Sequence, residues 1–510
     1  MNENHTVSVT QALQRLVDES LASRLWNRDA TLWPKPSHGG DPASKTLGWL
    51  DLPIRLSMLA AQFSDLHSQL LSDGFTDVVV LGMGGSSMTP LTLSSIFGES
   101  NSASDDHPTI RLHALDTVNP TTVSNITAEL DLSKTLFLVS SKSGTTVEPL
   151  TLEAHFRAVM ANTVGSSMNR KNFVALTDPG TPLADRARAG EFGTWVSTPV
   201  DVGGRFSALS TFGMMPAAAI GINIRAFAES AVRMAHRCQV DSTENPGLAL
   251  AAFLASNALG GRDKVTLITS DEYSVFGMWV DQLLAESTGK NGKGLIPITG
   301  EPVLTLDDFA SDRQFVVLKS KNDDKRVNHT IFTLRNSDHP VFVIEPPTDD
   351  IHEISGEFFR WQFATTAASS LMDIYPFDQP DVESAKLKSR ELISDPSVAI
   401  EGISLDAALD QIKSESSPRY VAITAFLPES PEVTAAFSEL RKWVSTQTGM
   451  ATTFGYGPRY LHSTGQLYKG GPQNALVLGF VSGKYDHLAV PDEAYTFGHL
   501  IEAQAGGDFA

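Results

Sequence analysis

The stretch VSSKSGTTVEP (residues 139–149) places hydroxyl side chains and one lysine directly after an apolar run. Residues 152–160 then carry apolar side chains at helical spacing, so the polar block lies where a buried strand turns into a helix. A phosphate dianion needs several short hydrogen-bond donors and partial positive charge, which a helix N-terminus beside a lysine can supply. An ordinary N-cap would need only one Ser or Thr. The pattern therefore predicts an anion-binding turn, whose donors are Ser141, Lys142, Ser143 and Thr146.

A second turn of this kind follows the apolar run VVVL in VVVLGMGGSSMTP (residues 78–90). In an open α/β sheet, ligands bind beyond the carboxyl ends of the strands, and glycines there allow close approach of the backbone. We therefore expect Gly85 and Ser86 to contact a ligand. Ser87 stands where a dinucleotide-binding fingerprint would have its third glycine. A dinucleotide site and a plain strand-to-helix turn remain as alternatives.

Together the two turns resemble those of sugar isomerase (SIS) domains, which bind phosphosugars. Three later segments resemble motifs of the phosphoglucose isomerase family: VGGRFSALSTFGM (202–214), DQLLAESTGKNGKG (281–294) and PFDQPDVESAK (376–386). The tail YGPRYLHSTGQLYKGGP (456–472) is similar to the isomerase half of bacterial transaldolase–isomerase fusion proteins. Ordered motifs across residues 78–386 are far more specific than any one of them alone.

The resemblance implies a role for each matching residue. Glu286 matches the base that moves a proton between C1 and C2 through a cis-enediol, and Arg205 matches the arginine that stabilises the enediolate. Lys386 matches the lysine that assists ring opening. Without the resemblance, Glu286 could equally well form an ion pair with Lys290, four residues on. The implied substrate-binding residues are Gly85, Ser86, Ser141, Lys142, Ser143, Thr146, Gln282 and Gln379.

The family motif that supplies the ring-opening histidine has no match in this sequence. Many family members carry a Gly-Gln-His motif between the glutamate and the final lysine, and this sequence has none there; its histidines in that interval are His329, His339 and His352. His462 lies in LHSTGQLYKGG, among hydroxyls, Gln466 and glycines. We place His462 in the catalytic set and keep His339, or neither histidine, as alternatives.

The expected activity is the reversible isomerisation of glucose 6-phosphate and fructose 6-phosphate in glycolysis and gluconeogenesis, with neither a metal nor a nucleotide cofactor. A non-catalytic SIS-type phosphosugar sensor is one alternative, although it would have no use for Glu286 with Lys386. An isomerase for mannose 6-phosphate or a sulfonated hexose is another, because the clamp residues cannot separate a phosphate from a sulfonate. The resemblance also implies a homodimer, since phosphosugar isomerases commonly complete their site with a neighbouring chain.

The composition excludes several other classes. A formal net charge of −20 argues against a general nucleic-acid surface. The single Cys238 rules out an intramolecular disulfide and a thiolate zinc cluster. No apolar run approaches the ~18 residues that a membrane span needs, and the N-terminus lacks a basic-then-apolar signal pattern. We therefore expect a cytoplasmic protein without a membrane partner.

The elements that position these residues alternate between short apolar strands and amphipathic helices, which predicts parallel sheets covered by helices. We expect an α/β fold of two SIS-type (flavodoxin-like, three-layer) domains with a smaller C-terminal α/β extension. The extension should contain two strands, an intervening helix and a Gly-rich loop. A helix at 356–373 should bury one apolar face. The predicted boundaries are 1–55 for an N-terminal helical segment, 56–235 for the first SIS domain with the phosphosugar clamp, 240–395 for the second with Glu286 and Lys386, and 396–510 for the extension.

Overall fold

A computed structural model describes residues 8–36, 43–98, 109–163, 165, 169–302, 304–321, 324–382, 388, 391–392, 402–415 and 419–509. Its strands form three separate sheets in which every pair of neighbouring strands is parallel. The predicted α/β class is therefore confirmed. Within the described ranges, no helix is long and apolar enough to cross a membrane.

The first sheet has the strand order β2-β1-β3-β4-β5. Its central strands β1 and β3 are apolar and buried on both faces, as expected of parallel strands covered by helices on each side. The order reverses between β1 and β3, and this switch point is where open α/β sheets bind their ligands. The strands are β1 Asp77–Gly82, β2 Arg111–Leu115, β3 Thr135–Ser140, β4 Phe173–Thr177 and β5 Thr194–Ser197.

The second sheet repeats this arrangement with the order β7-β6-β8-β9. Strands β5 and β7 were not predicted from the sequence. Strand β5 is short and partly exposed, and β7 contains Pro297, which is tolerated because β7 is an edge strand. The strands are β6 Lys264–Thr269, β7 Ile296–Ile298, β8 Arg313–Leu318 and β9 Val341–Ile344.

The C-terminal part contains a third sheet, with the order β11-β10-β12. The prediction of two strands here was wrong, because β11 lies between the predicted helix and the Gly-rich loop. Strand β11 reads ATTFGY, and its polar positions are buried against polar partners: Thr452 receives a hydrogen bond from Arg441 (3.1 Å), and Thr453 bonds Tyr468 (2.9 Å). Such a strand lacks the apolar run that identifies its neighbours. The strands are β10 Tyr420–Phe426, β11 Ala451–Tyr456 and β12 Ala475–Val481.

Helices cover these sheets and fill the space between them. Each helix packs its apolar face on a sheet or on another helix, and several start at a side-chain N-cap such as Asn119 or Asn245. The described helices are α1 Val9–Asp18, α2 Leu21–Trp26, α3 Leu52–Phe63, α4 Leu66–Ser72, α5 Gly85–Gly98, α6 Pro120–Glu129, α7 Val147–Thr163, α8 Pro182–Arg188, α9 Thr211–Ala219, α10 Ile224–Arg237, α11 Pro246–Leu259, α12 Phe276–Thr288, α13 Lys325–Arg335, α14 Ile354–Leu371, α15 Leu405–Ser414, α16 Pro431–Thr448, α17 Gly465–Gly470 and α18 Phe497–Phe509.

Helix α14 differs from its prediction. The sequence indicates one apolar face, but residues 354–369 are buried all round, including Phe358 and Trp361. The helix packs between α10, α11 and α12, so the core of the molecule surrounds it. Its polar side chains are buried as well; Gln362, for example, donates to the carbonyl of Phe206 (2.9 Å). This places the segment that begins after α14 beside α12 and the Arg205 turn.

Candidate active site

The two turns found in the sequence meet at the switch point of the first sheet. In the β1–β3 register, Gly82 pairs with Ser140, so the glycine turn and the hydroxyl turn are adjacent. A Cβ atom on Gly82 would lie only 3.3 Å from the side chain of Ser140. The sheet therefore brings together two motifs that are separated by more than fifty residues in the sequence.

The glycines of the first turn make room for other parts of the chain. A Cβ on Gly85 would lie 1.9 Å from the carbonyl oxygen of Gly204, and one on Gly84 would lie 2.9 Å from the His462 carbonyl oxygen. Gly84 also has φ +55°, a conformation that favours glycine. The sequence interpretation gave Gly85 to a ligand, whereas the structure places the Arg205 turn against Gly85 and the His462 segment against Gly84. The half-buried Ser86 follows at the start of α5.

The hydroxyl turn is held in shape by bonds within itself. The Ser141 hydroxyl donates to Thr146 Oγ1 (3.0 Å), and the Thr145 N–H donates to Ser143 Oγ (3.3 Å). Gly144 takes φ +66° where a Cβ would contact Thr181, so the turn is tight. Ser143 is exposed and Thr146 is half-buried. The turn thus presents hydroxyls at the N-terminus of α7, as predicted for an anion-binding site.

Lys142 points to a different partner. Its ammonium group bonds the carboxylate of Asp178 and the carbonyl of Pro199 (3.2 Å), so its charge is compensated within the fold. Asp178 follows β4, on the side of the turn away from β1. The predicted role of Lys142 as an anion ligand therefore requires exchange of this ion pair for the ligand.

Arg205 and Glu286 form a buried ion pair beside these turns. The Arg205 Nη1 atom lies 3.1 Å from Glu286 Oε2, and the two side chains are 6% and 8% exposed. Arg205 sits in the 3₁₀ turn Gly204–Phe206, and Glu286 sits in the last turn of α12. Arg205 also donates through Nε to Ser287 Oγ (2.9 Å) and through Nη2 to the Pro376 carbonyl (2.6 Å). All three guanidinium nitrogens are used, which fixes the orientation of the charge.

The electrostatics of Glu286 suit a base. Burial raises the pKa of Glu286 above its usual range, and the positive charge of Arg205 opposes that rise. Gln282, one turn earlier on α12, donates to Glu286 Oε1 (3.4 Å) and lowers the pKa further. A buried carboxylate with a raised pKa can accept a proton from carbon and return it at neutral pH.

The alternative partner for Glu286 is excluded by the structure. Lys290 does not pair with Glu286; its ammonium group donates to the Tyr375 carbonyl (2.7 Å) and to Asp378 Oδ1 (2.8 Å). Burial, together with the nearby Arg205 charge, lowers the pKa of Lys290 to about 7. Helix α12 ends at Thr288, before Lys290, so the i,i+4 spacing of a helix does not apply to these two side chains.

His462 is the predicted histidine that reaches this centre. Its Nε2 atom lies 3.0 Å from Glu148 Oε1, and its carbonyl accepts from Gln282 Nε2 (2.9 Å). Glu148 is buried in the first turn of α7 and also accepts from Gln504 (2.7 Å). His462 therefore bridges the hydroxyl-turn helix and the Glu286 helix.

The three histidines between Glu286 and Lys386 in the sequence lie away from this centre. His339 packs against the rings of Phe309 and Phe315, with centroid distances of 6.1 and 5.3 Å, just before β9 begins. His329 is exposed on α13, and His352 bonds Asp350 (2.6 Å). The geometry thus favours His462 over the alternative His339.

Two predicted residues belong to the segment that follows α14. Gln379 is half-buried, and the carbonyl of its neighbour Asp378 accepts from Arg205 Nη2 (3.1 Å). Lys386 lies outside the described residues. Within the described ranges, no cluster of His, Cys, Asp and Glu side chains could hold a metal ion.

Sequence reasoning missed three residues of this centre. Glu148 closes the quoted motif VSSKSGTTVEP but was given no role, although an acidic residue in the first turn of a helix is a recognisable signal. Ser287 and Asp378 are adjacent to assigned residues and act through contacts with Arg205 and Lys290. No local pattern identifies them, because their partners are distant in sequence.

Comparisons with known proteins agree with this geometry. The family model described as phosphoglucose isomerase matches residues 69–296, which contain both turns, Arg205 and Glu286. A glucose-6-phosphate isomerase of Rubrobacter xylanophilus is 31% identical over 253 residues, which cover 49% of this chain and 58% of that protein. One from Staphylococcus saprophyticus is 25% identical over 388 residues, 68% of this chain and 87% of that protein. Over these residues the chain is similar to phosphoglucose isomerases.

A solved structure has a similar fold. A glucose-6-phosphate isomerase from Chlamydia trachomatis superposes with a TM-score of 0.56 at 20% identity, covering 77% of this chain and 80% of that one. The matches to individual relatives remain partial, since the chain spans 58% of the Rubrobacter protein and 42% of one from Prochlorococcus marinus. The family model ends at residue 296, before the segments that carry Gln379, Lys386 and His462.

Proposed function

We propose that the protein belongs to the phosphoglucose isomerase family and interconverts glucose 6-phosphate and fructose 6-phosphate. The observation that carries the proposal is the buried Arg205–Glu286 pair, which lies beside the switch point of the first sheet. A base and a fixed positive charge in one water-poor site are what proton transfer next to a carbonyl requires. The names of the matching relatives support the same reaction.

The reaction begins with the phosphate held by the hydroxyl turn. Ser143 and Thr146 supply hydroxyl donors at the start of α7, where the helix dipole favours an anion, and the Ser141 hydroxyl holds Thr146 in place. Ser86 and Gly85 line the adjacent turn, and Gln282 and Gln379 contact the sugar. Binding at one end leaves the other end of the sugar, with its carbonyl carbon, to reach Glu286.

Ring opening precedes the proton transfer. His462 is the acid–base group for this step, since Glu148 orients its ring by the 3.0 Å contact to Nε2. Lys386 assists from the segment that follows Val382. The ring oxygen gains a proton as the bond between it and the anomeric carbon breaks, and the anomeric hydroxyl loses one to give the open carbonyl form.

The carboxylate of Glu286 then removes the proton from C1 of fructose 6-phosphate. The electron pair of that C–H bond forms the C1–C2 double bond, so the C2 carbonyl oxygen becomes the enediolate oxygen. Arg205 stabilises this negative charge, because its guanidinium is already desolvated and oriented. The proton of the C1 hydroxyl passes to the C2 oxygen, which leaves the negative charge on the C1 oxygen. Glu286, now protonated, returns its proton to C2 as the C1 carbonyl forms, which gives the aldose. No other oxidant or reductant is needed.

A panel of hexose phosphates tests this proposal. Purified protein should convert fructose 6-phosphate to glucose 6-phosphate, as measured by coupled oxidation of the product, and should convert mannose 6-phosphate and a 6-sulfonated hexose more slowly. A chain that binds the sugar phosphates but isomerises none of them would instead be a phosphosugar sensor.

The assembly is a separate part of the proposal. A homodimer is what the family resemblance implies, and sedimentation at several concentrations measures it. Because His462 reaches Glu148 within one chain, the histidine of this site does not have to come from a second subunit. We therefore expect specific activity to stay constant when the dimer is diluted into monomer.

A further inference from the structure

One further segment, residues 457–471, contacts Glu148, Gln282 and the turn that follows α12. This segment, which we call the anchor segment, contains the 3₁₀ turn Arg459–His462 and helix α17. His462 lies in its middle, between Glu148 and Gln282. Two further side chains of the segment, Arg459 and Gln466, are buried and form hydrogen bonds with groups on other elements.

Arg459 ties the segment to the first sheet. Its Nε and Nη2 atoms each lie 2.8 Å from an oxygen of Asp116, which is 1% exposed at the end of β2. Asp116 in turn accepts from the Ser87 hydroxyl (3.2 Å), and Ser87 also donates to the Gly84 carbonyl (3.2 Å). Gly84 lies against the His462 carbonyl, so these contacts link the glycine turn to both Arg459 and His462 of the anchor segment.

Gln466 ties the other end to the Glu286 helix. Its Nε2 atom donates to the Gly289 carbonyl (2.9 Å), three residues after Glu286, and its Oε1 atom accepts from the N–H of Asp381 (3.0 Å). A Cβ on Gly289 would lie 2.5 Å from Leu467 Cα, so the contact is close-packed. Asp381 begins the stretch that leads to Lys386. Gln466 thus connects the histidine segment with the end of α12 and with Asp381.

We propose that Arg459 and Gln466 are positioning residues for the isomerisation, which hold the two ends of the anchor segment so that His462 stays between Glu148 and Gln282. This inference rests on the proposed function. Neither residue touches the substrate; each acts through the placement of His462. The bidentate Arg459–Asp116 contact fixes both distance and angle, which a single-point contact cannot do.

The physical expectation follows from the sensitivity of catalysis to placement. A shift of about 1 Å in a catalytic group can cost about 100-fold in rate. Arg459→Lys keeps the charge next to Asp116 but replaces the planar fork by a point charge, so the segment can shift while the ion pair persists. Gln466→Met keeps the volume and removes all three hydrogen bonds of the amide. Both changes should lower kcat about 10- to 100-fold.

The test measures kcat, KM and binding for Arg459→Lys, Gln466→Met and the control Arg441→Lys. Arg441 is a buried arginine that bonds the Gly300 carbonyl (2.6 Å) at the junction of the second and third sheets. Binding is measured calorimetrically with sorbitol 6-phosphate, an open-chain sugar phosphate that cannot isomerise. We expect a kcat loss for the first two variants with sorbitol 6-phosphate affinity within about threefold, as each change leaves the hydroxyl turn intact. Arg441→Lys should lower the unfolding midpoint and leave kcat per folded molecule unchanged.

A second readout does not depend on activity. The His462 ring signal of ring-labelled protein, assigned by its loss in His462→Asn, should move or split in Arg459→Lys and Gln466→Met and stay in place in Arg441→Lys. Unchanged kcat in the first two variants, or a loss equal to that of Arg441→Lys, overturns the positioning role. A wild-type chain that isomerises no hexose phosphate overturns the proposed function instead, and the ring signal then decides whether the two residues position His462.

Discussion

The four strands of the second sheet follow the same order as the first four of the first sheet, yet the two switch points carry different side chains. At the switch point of the first sheet, Gly82 meets Ser140, and the hydroxyl turn of residues 141–146 begins there. At the corresponding point of the second sheet, the Ser270 hydroxyl accepts the N–H of Ser320 (2.9 Å), which closes the gap between β6 and β8. The exposed carboxylate of Asp271 follows directly. Asp271 pairs with Arg326 (2.7 Å), so the charges at this turn compensate each other.

The difference shows that topology determines where a site can form and side chains determine whether one does. The second sheet contributes α12 instead, which carries Gln282 and Glu286 to the turns of the first sheet. In the proposed mechanism, one sheet supplies the groups that hold an anion, and the other supplies the group that reacts. Substitutions on the reacting side and on the binding side should therefore have different effects.

The largest effect should come from the reacting side. Glu286→Gln removes the proton acceptor without changing its size, so kcat should fall about 1,000-fold while sorbitol 6-phosphate still binds. The coupled assay and calorimetry measure the two quantities. A matched control is Glu357→Gln, another buried carboxylate whose pKa burial raises, but which pairs with Arg360 (3.1 Å) on α14. Near-normal turnover by Glu286→Gln would remove Glu286 from the reaction.

Arg205 should have the next largest effect, and it should change the pH profile. Arg205→Gln removes the charge at the enediolate, so kcat should fall about 100-fold. It also removes the charge that opposes the rise in the pKa of Glu286. Because a base with a higher pKa stays protonated to a higher pH, the acidic limb of the kcat/KM profile should move to higher pH. Arg233→Gln, at a half-exposed arginine that pairs with Glu353, is the control and should leave the limb in place. A limb that moves to lower pH in Arg205→Gln contradicts the assignment.

The binding side should respond in KM. Thr146→Val removes one hydroxyl of the clamp and keeps its shape, so KM for fructose 6-phosphate should rise about tenfold with kcat within about twofold. The equivalent change in the second sheet is Ser270→Ala, which loses the bond to Ser320. It should lower the free energy of unfolding by about 1 kcal/mol and leave KM unchanged. An equal rise in KM for both variants would mean that the two switch points do not differ as described.

The smallest effect concerns stability. Burial lowers the pKa of Lys290 to about 7, well below the ~10.4 of an unfolded lysine. Between these values the unfolded chain binds a proton that the folded chain does not, so this residue makes wild-type stability rise with pH. Relative to Lys290→Met, wild-type protein should therefore gain about 1–2 kcal/mol in unfolding free energy between pH 7 and pH 9. Urea unfolding at both pH values measures this gain, with the exposed Lys388→Met as control. A gain of zero would contradict a lowered pKa.

Much of the fold could be predicted because it depends on local patterns. The buried runs of β1 and β3 and the polar turns after them are contiguous in sequence, so strand, turn and helix follow from hydropathy and capping preferences. Strand β11 could not be predicted in this way. Its buried threonines are stabilised by Arg441 and Tyr468, which lie on other elements.

The site divides along the same line. The resemblance identified Glu286 and Arg205, and the fold brings them into contact. The partner of Lys290 was not predictable, because i,i+4 spacing suggests Glu286 whereas the chain after α14 brings Asp378 closer. Likewise, the contact between His462 and Glu148 joins residues more than three hundred positions apart. Contacts of this range depend on the packing of three sheets and leave no local signal.

In the proposed mechanism Glu286 carries the proton between C1 and C2. Isomerisation in D₂O measures this transfer directly. A carboxyl group that holds the proton during the reaction exchanges it with solvent, so proton NMR should show deuterium entering C1 of fructose 6-phosphate and C2 of glucose 6-phosphate. We expect the Glu286→Gln variant to bind the substrate but to show no such exchange. Exchange at the wild-type rate in Glu286→Gln would contradict the account.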